Sequence, residues 1–240
     1  MNAVPERAAH SKYFPCMAQG NGFCLLRGPA TQSPLPVLCQ VYAGKLRTLV
    51  YTRIPMPVIL CMLRGVNVGG RNKIKMDELK TLCVSLKFKT PQTFIQSGNV
   101  IFCADEKDMA KLTKRIEDAL ERRFGFRPGV VLRTMADLQG VIAKNPFAGR
   151  KGIEPGKLLV NFLADDPGKE ARKQAQAIET GPDEMHLIGR EAYIYFPDGQ
   201  GRSKLPWTKI ERTLGTFGTG RNWNSVTKML AMAEAMEATQ

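Results

Sequence analysis

Three segments of the sequence carry the residue types that bind anions. The first, residues 64–73 (RGVNVGGRNK), combines glycine and asparagine with three positively charged side chains. Residues 97–99 add a hydroxyl and an amide, and residues 221–224 add a guanidinium, two amides and an indole. Glycine permits the positive backbone dihedral angles that turn successive N–H groups towards one anion. These segments give the predicted anion-binding residues: Arg64, Asn67, Gly69, Gly70, Asn72, Lys73, Ser97, Asn99, Arg221, Asn222, Trp223 and Asn224.

Two of these segments come shortly before a predicted helix. The apolar run Val58–Leu63 predicts a buried strand ahead of the first segment, and apolar residues at helical spacing predict a helix over Met76–Leu86 after it. The N-terminus of a helix offers unpaired N–H groups and the positive end of the helix dipole, which attract negative charge. The spacing matches neither GxxxxGK[ST] nor GxGxxG, so neither of these two nucleotide-binding motifs supports the site. The alternative is that asparagine, serine and glycine supply turn geometry alone.

The sequence offers no convincing set of catalytic residues. It contains two histidines, and His186 lies in an alternating run that is typical of a surface strand. Asp165 and Asp166 precede a predicted helix, where carboxylates more often act as caps. The six cysteines include no CxxC pair, and three of them lie in apolar segments that are typical of inert buried thiols. We therefore assign no catalytic residue, metal site or cofactor, and enzymatic activity stays an open question.

The chain is strongly basic. Its 35 lysines and arginines against 22 acidic residues give a net charge of +13, which is typical of proteins that bind phosphates, nucleic acid or another anionic surface. The alternative is a soluble protein whose basic charge has no such function. The predicted strands Val58–Leu63 and Asn99–Cys103 lack the paired aromatic residues on which RNA-recognition modules stack bases, since Phe102 stands alone. The first hypothesis is therefore a module that binds the phosphate of a nucleotide or nucleic acid. The alternatives are an enzyme acting on a small phosphorylated or carboxylated substrate, and an interaction protein without a ligand.

Apolar periodicity predicts the same order of elements twice. The first half, residues 58–156, is predicted to run strand, helix, two strands of which the first is Thr93–Gln96, helix and strand. The second half, residues 157–240, repeats this order, with a glycine-interrupted strand over Gly215–Gly220 before a last helix, Asn222–Ala238. The sequence thus predicts an α+β fold of two ferredoxin-like βαββαβ halves packed as one compact domain. No predicted element is long and apolar enough for a membrane span, and the oligomeric state is not predicted.

Residues 1–57 differ in composition from the rest. They hold seven of the fifteen prolines and one acidic residue against six lysines and arginines, so five of the thirteen net positive charges lie here. No sustained helical or alternating period survives these prolines. We therefore predict an extension that is poorly structured or loosely attached. Two explanations stay open, namely that the native protein begins at Met56, or that the segment is a mitochondrial-type targeting arm without the usual amphipathic helix.

Deletion of residues Met1–Pro55 should leave the melting temperature nearly unchanged if the extension is not part of the core. Thermal unfolding of the full-length and shortened chains, followed by circular dichroism, measures this. A loss of several degrees in the shortened chain would mean that the extension packs against the core.

Three strings of residues resemble a known bacterial family. They are LRGVNVGGRNKIKMDELK from Leu63, TFIQSGNVIF from Thr93 and RNWNSVTKM from Arg221. In this order they resemble the domains of unknown function numbered 1697 (DUF 1697), and the resemblance extends from about residue 58 to residue 238. It implies a cytoplasmic, single-domain α+β protein. It implies no activity, and so it transfers no catalytic residue to this chain.

Overall fold

The computed structural model describes residues 56–240 in full. Of the residues before them it describes the backbone of three strands, β1 (Phe23–Leu26), β2 (Val37–Tyr42) and β3 (Lys45–Leu49), which form an antiparallel sheet in that order. Apart from these three strands, residues 1–55 of the predicted poorly structured extension, 1–57, lie outside the described part of the chain.

Residues 56–240 contain the predicted βαββαβ order twice. The elements of the first half and the helix that follows it are β4 (Val58–Leu63), α1 (Met76–Ser85), β5 (Lys89–Phe94), β6 (Asn99–Cys103), α2 (Met109–Phe124), β7 (Val130–Thr134) and α3 (Met135–Ala143). Those of the second half are β8 (Leu158–Leu163), α4 (Gly168–Gln176), β9 (Glu184–Ile188), β10 (Glu191–Tyr195), α5 (Trp207–Leu214), β11 (Gly218–Asn222) and α6 (Trp223–Ala238).

The two sheets have the same topology. The strand orders are β5-β6-β4-β7 and β11-β8-β10-β9, and all neighbouring strands are antiparallel. In each half the first strand therefore lies between the third and the fourth, and the second strand forms an edge. The prediction of an α+β fold with two ferredoxin-like halves is confirmed.

Both faces of the first sheet are buried, because successive residues of a strand point to opposite sides. In β4, Ile59, Cys61 and Leu63 belong to a core formed with α1 and α2. Leu60 and Met62 belong to a central core that also contains residues of β8, β10, α3 and α6, so the two halves share it. A third core lies between the other face of the second sheet and helices α4 and α5. All six residues of β4 are buried, which explains its uninterrupted apolar run.

Two strands differ from their predicted positions. Strand β5 covers Lys89–Phe94, earlier in the chain than the predicted Thr93–Gln96, because an edge strand tolerates Pro91 and a register shift between Lys89 and Gln92. Strand β11 covers Gly218–Asn222, later than the predicted Gly215–Gly220. This second difference matters for function, because it places Arg221 within a strand of the sheet. No helix within the described ranges is long and apolar enough to span a bilayer.

Candidate functional site

The three predicted anion-binding segments meet in space. The amide Nδ2 of Asn67 donates a hydrogen bond to the carbonyl oxygen of Gln96 at 2.7 Å. The guanidinium of Arg221 donates to the carbonyl oxygen of Ser97 at 3.0 Å and to Oδ1 of Asn99 at 2.5 Å. The hairpin tip between β5 and β6 is thus bonded on one side to the loop after β4 and on the other to strand β11 of the second half.

Arg221 is bonded to protein groups through all five of its N–H donors. Besides the two bonds to the hairpin tip, it donates to Oγ1 of Thr219 at 2.7 Å and to the carbonyl oxygens of Gly220 and Leu63, both at 2.8 Å. The residue is 6% exposed, and burial lowers the pKa of its guanidinium to about 10. Its bonding capacity is fully used, with three of the five bonds joining the two halves and the other two lying within β11.

A second buried arginine, which the sequence reasoning missed, joins the halves in the opposite direction. Arg133 of β7 donates from Nε to Oε1 of Glu191 at 3.0 Å and from Nη2 to the carbonyl oxygen of Leu163 at 2.8 Å. It is 1% exposed; burial lowers the pKa of its guanidinium, and the carboxylate of Glu191 opposes that shift. Its Nη1 donates to the carbonyl of the preceding residue, as Nη1 of Arg221 also does.

The two arginines occupy equivalent positions in the two halves. Arg133 lies opposite Leu60 in the first sheet, and Arg221 lies opposite Val160 in the second. Each bonds the last residue of the other half's first strand and the first residue of its third strand. Glu191 therefore corresponds to Asn99, so one arginine has an acidic partner and the other a neutral amide.

Arg64 also contacts the second half. Its guanidinium forms an ion pair with Glu211 at 2.9 Å and lies 5.4 Å from the centre of the Phe217 ring. The Arg64 side chain is 40% exposed and that of Glu211 is 18% exposed. Glu211 in turn accepts a hydrogen bond from the backbone N–H of Gly218 at 3.1 Å, which fixes the carboxylate towards the start of β11.

The loop after β4 is held in shape by its two asparagines. Asn67 bonds both the N–H and the carbonyl of Ile74, and Asn72 donates to the carbonyl of Gly65 at 3.1 Å. Gly69 and Gly70 have φ angles of 58° and 76°, which closes a tight turn at the tip. The loop therefore has a defined geometry. It leaves the side chains of Arg71, Lys73 and Lys75 exposed.

An open pocket of about 500 Å³ lies where this loop enters α1. No side chain caps the start of this helix within the described structure, and the N-cap residue is Lys75. Glu78 is the acidic residue of the lining, and its carboxylate lies 3.8 Å from Arg123. The lining residues are Asn67, Gly70, Lys73, Ile74, Lys75, Glu78 and Gln96.

The remaining predicted residues lie at the start of α6. Asn222 accepts a hydrogen bond from the N–H of Asn224 at 3.0 Å and donates to the carbonyl of Gly156 at 2.8 Å, so it caps the helix as its sequence position predicts. Trp223 is half-buried against the central core, and Asn224 is exposed. None of the three lines the pocket at α1.

The groups considered for catalysis have structural surroundings. Burial raises the pKa of Cys83 to about 12, and burial together with the Cys83 charge raises the pKa of Cys61 well above its usual range. His186 lies 2.8 Å from Glu184. Hydrogen bonds from Arg150 and, to a smaller extent, from His186 lower the pKa of the Glu184 carboxyl to about 2. Within residues 56–240, no group of three histidine, cysteine or acidic side chains is placed to hold a metal ion.

Comparison with known proteins gives one family and one fold. The model of the family described as protein of unknown function DUF1697 matches residues 56–193. The solved structure of a conserved bacterial protein from Streptococcus pneumoniae aligns with a TM-score of 0.61 over 74% of this chain and 99% of that chain, at 19% identity. At this identity the likeness shows a shared fold alone. No curated protein has a significant match to the chain.

Proposed function

Because the chain belongs to the DUF1697 family of unknown function, we infer its role from its own geometry and propose that it binds the phosphate group of a small nucleotide. The observation that carries the proposal is the open pocket at the uncapped start of α1, lined by Gly70, Lys73 and Lys75. Other proteins bind phosphate through backbone N–H groups at the start of a helix and through ammonium groups. This pocket offers donors of both kinds.

This proposal places the anion nearer to α1 than the twelve predicted residues did. Arg221 and Asn99 bond each other and other protein groups, and Asn67 and Asn72 shape the loop. These residues support the site without contacting the anion. Gly70 and Lys73 are retained from the prediction as lining residues, and Lys75 joins them.

A nucleotide is a better ligand for this pocket than a nucleic acid. RNA-recognition modules of ferredoxin-like order bind bases on an open sheet face. Here both faces of the first sheet are covered, and Phe102 is fully buried and stacks on Phe88 at 4.1 Å between ring centres. A binding role is also favoured over an enzymatic one, because the single carboxylate in the lining, that of Glu78, lies near Arg123. The three described free cysteines are consistent with a cytoplasmic location, which we propose as well.

Replacement of both Lys73 and Lys75 by glutamine should weaken nucleotide binding by about 10- to 100-fold, as expected for lost hydrogen bonds from charged groups. Both side chains are exposed, so the fold should be unaffected. Thermal-shift titrations with phosphate, pyrophosphate, nucleoside mono-, di- and triphosphates and a short RNA measure both the affinity and the ligand class. The affinity should also fall as salt is added.

Lys80→Gln is the matched control, since Lys80 is an exposed lysine on the same helix that does not line the pocket. It should bind as the wild type does. Equal weakening by Lys80→Gln would indicate attraction to the overall positive charge and would contradict a defined site. Stabilisation by RNA alone would favour nucleic acid over nucleotide, and stabilisation by no anion would end the proposal.

A further inference from the structure

A second pocket lies in the other half, on the face of the second sheet that α5 covers in part. Its volume is about 260 Å³. Strands β8, β10 and β11 form its floor, and the segment between β10 and α5 forms its wall. The lining residues are Leu159, Asn161, Ile194, Phe196, Gln200, Ser203, Leu205, Trp207 and Gly220.

The hollow exists because the residues around Asn161 on this face are small. Asn161 is flanked by Ala192 on β10 and by Gly220 on β11. A Cβ atom on Gly218 would lie 2.1 Å from Nδ2 of Asn161, so only glycine leaves room for this amide. Neither glycine has a positive φ angle, and both occur in a strand, where glycine has no conformational advantage. Their role is to leave space, Gly218 for the amide of Asn161 and Gly220 for the pocket.

Asn161 itself is a polar residue in an otherwise apolar strand, LLVNFL. It is 3% exposed, and its Nδ2 has no hydrogen-bond partner among the described residues. A buried amide donor without a partner destabilises a fold, and leucine has nearly the same shape. The presence of asparagine here therefore indicates a role for the other end of its amide, Oδ1, because Nδ2 lies against Gly218 and Gly218 does not line the pocket.

The lining defines the chemistry of that partner. It contains no charged side chain, and Ile194, Phe196, Leu205 and Trp207 present apolar and aromatic surface. The hydroxyl of Ser203 is already engaged, because it donates to Asp183 at 2.5 Å and accepts from the N–H of Leu205 at 3.1 Å. Gly220 and Gln200 are exposed, so the pocket opens to solvent beside them.

We propose that this pocket binds a small neutral aromatic ring that carries an N–H group, with this N–H donating a hydrogen bond to Oδ1 of Asn161. The volume is below the range of about 300–1,000 Å³ that is usual for drug-sized ligands, so the partner has one or two rings. A pyrimidine base or an aromatic carboxamide has this size and chemistry. The site is separate from the anion pocket, which belongs to the first half.

The pocket contains its own reporter, because Trp207 lines it and Trp223 is the only other tryptophan of the chain. In a Trp223→Phe background, the fluorescence of Trp207 should change saturably when nicotinamide or uracil is added. Nicotinate, which has nearly the same shape but is charged, should bind at least about tenfold more weakly, because burial of an unpaired charge is unfavourable. No saturable change with either neutral ring would mean that the hollow holds only water, and equal binding of nicotinate would contradict the neutral chemistry.

Two substitutions test the role of the amide and of the space. Asn161→Leu preserves the shape and should weaken nicotinamide binding by about tenfold, as expected for a lost hydrogen bond in a buried site. Gly220→Val fills the pocket from the other side, suits a strand and should abolish binding. Asn224→Leu, at an exposed asparagine, and the Lys73/Lys75 double variant should bind nicotinamide as the parent does. Wild-type affinity in both Asn161→Leu and Gly220→Val would overturn the proposal.

Discussion

Replacement of Arg221 by methionine is expected to lower the free energy of unfolding by more than about 3 kcal/mol. The guanidinium supplies five hydrogen bonds, and its removal leaves the carbonyl oxygens of Leu63 and Ser97 and Oδ1 of Asn99 without these donors in a buried region. Each buried acceptor that loses its partner costs about 1–3 kcal/mol. Methionine fills most of the volume, so the loss reflects hydrogen bonding more than packing.

The charge on Arg221 opposes folding in part. Its pKa in the folded protein, about 10, lies below its ordinary value, so the folded state favours the neutral form more than the unfolded state does. Stability from this group would therefore rise with pH only above about 10, where the unfolded chain holds its proton and the folded chain releases it. At neutral pH the hydrogen bonds must offset the cost of burying the charge.

Chemical denaturation of Arg221→Met, Arg221→Lys and Arg71→Met separates these effects. Lysine keeps the charge but offers three donors without the planar fork of arginine, so an intermediate loss is expected. Arg71 is exposed, and its replacement should change stability by less than about 0.5 kcal/mol. A loss below about 1 kcal/mol for Arg221→Met would contradict the structural role. A stable Arg221→Met protein that had lost nucleotide binding would instead support Arg221 as an anion ligand.

The repeated fold could be predicted because each half carries its own local pattern. The apolar run of β4 and the alternating hairpin of β9 and β10 do not depend on distant residues, and the order of elements recurs in both halves. The same reasoning placed β11 too early, since Gly218 and Gly220 carry little strand propensity. Pairing with β8 overrides that local preference, and it turns Arg221 from a loop residue into a buried one.

The contacts between the halves could not be predicted in the same way. Arg133 and Glu191 are 58 positions apart in the chain, and nothing local links them. An alignment of the two halves would have matched Arg133 with Arg221, because each lies opposite the third residue of its half's first strand. Asn161 also carried a recognisable signal, as a single polar residue within a strand that is buried on both faces. That the Nδ2 of Asn161 has no hydrogen-bond partner is known only from the folded structure, in which Gly218 and Ala192 lie beside it.

Replacement of Glu191 by alanine is expected to lower the free energy of unfolding by about 3 kcal/mol or more. The side chain of Arg133 is 1% exposed and that of Glu191 is 14% exposed, so water screens their ion pair poorly. Without the carboxylate, Arg133 keeps its bonds to the carbonyls of Leu132 and Leu163 but loses the only acidic group among its hydrogen-bond partners. The expected loss combines two costs, because the buried guanidinium is left without its counter-charge and its Nε–H is left without an acceptor.

The equivalence of the two halves supplies the control for this second prediction. Arg221 is stable with a neutral amide, that of Asn99, in the position that Glu191 holds beside Arg133. Glu191→Gln should therefore cost about 1 kcal/mol, because it keeps an acceptor at Nε and removes only the charge. Urea denaturation of Glu191→Ala and Glu191→Gln distinguishes the two contributions. Equal losses would mean that the charge of Glu191 is what Arg133 requires, and that the two buried arginines hold the halves together by different physical means.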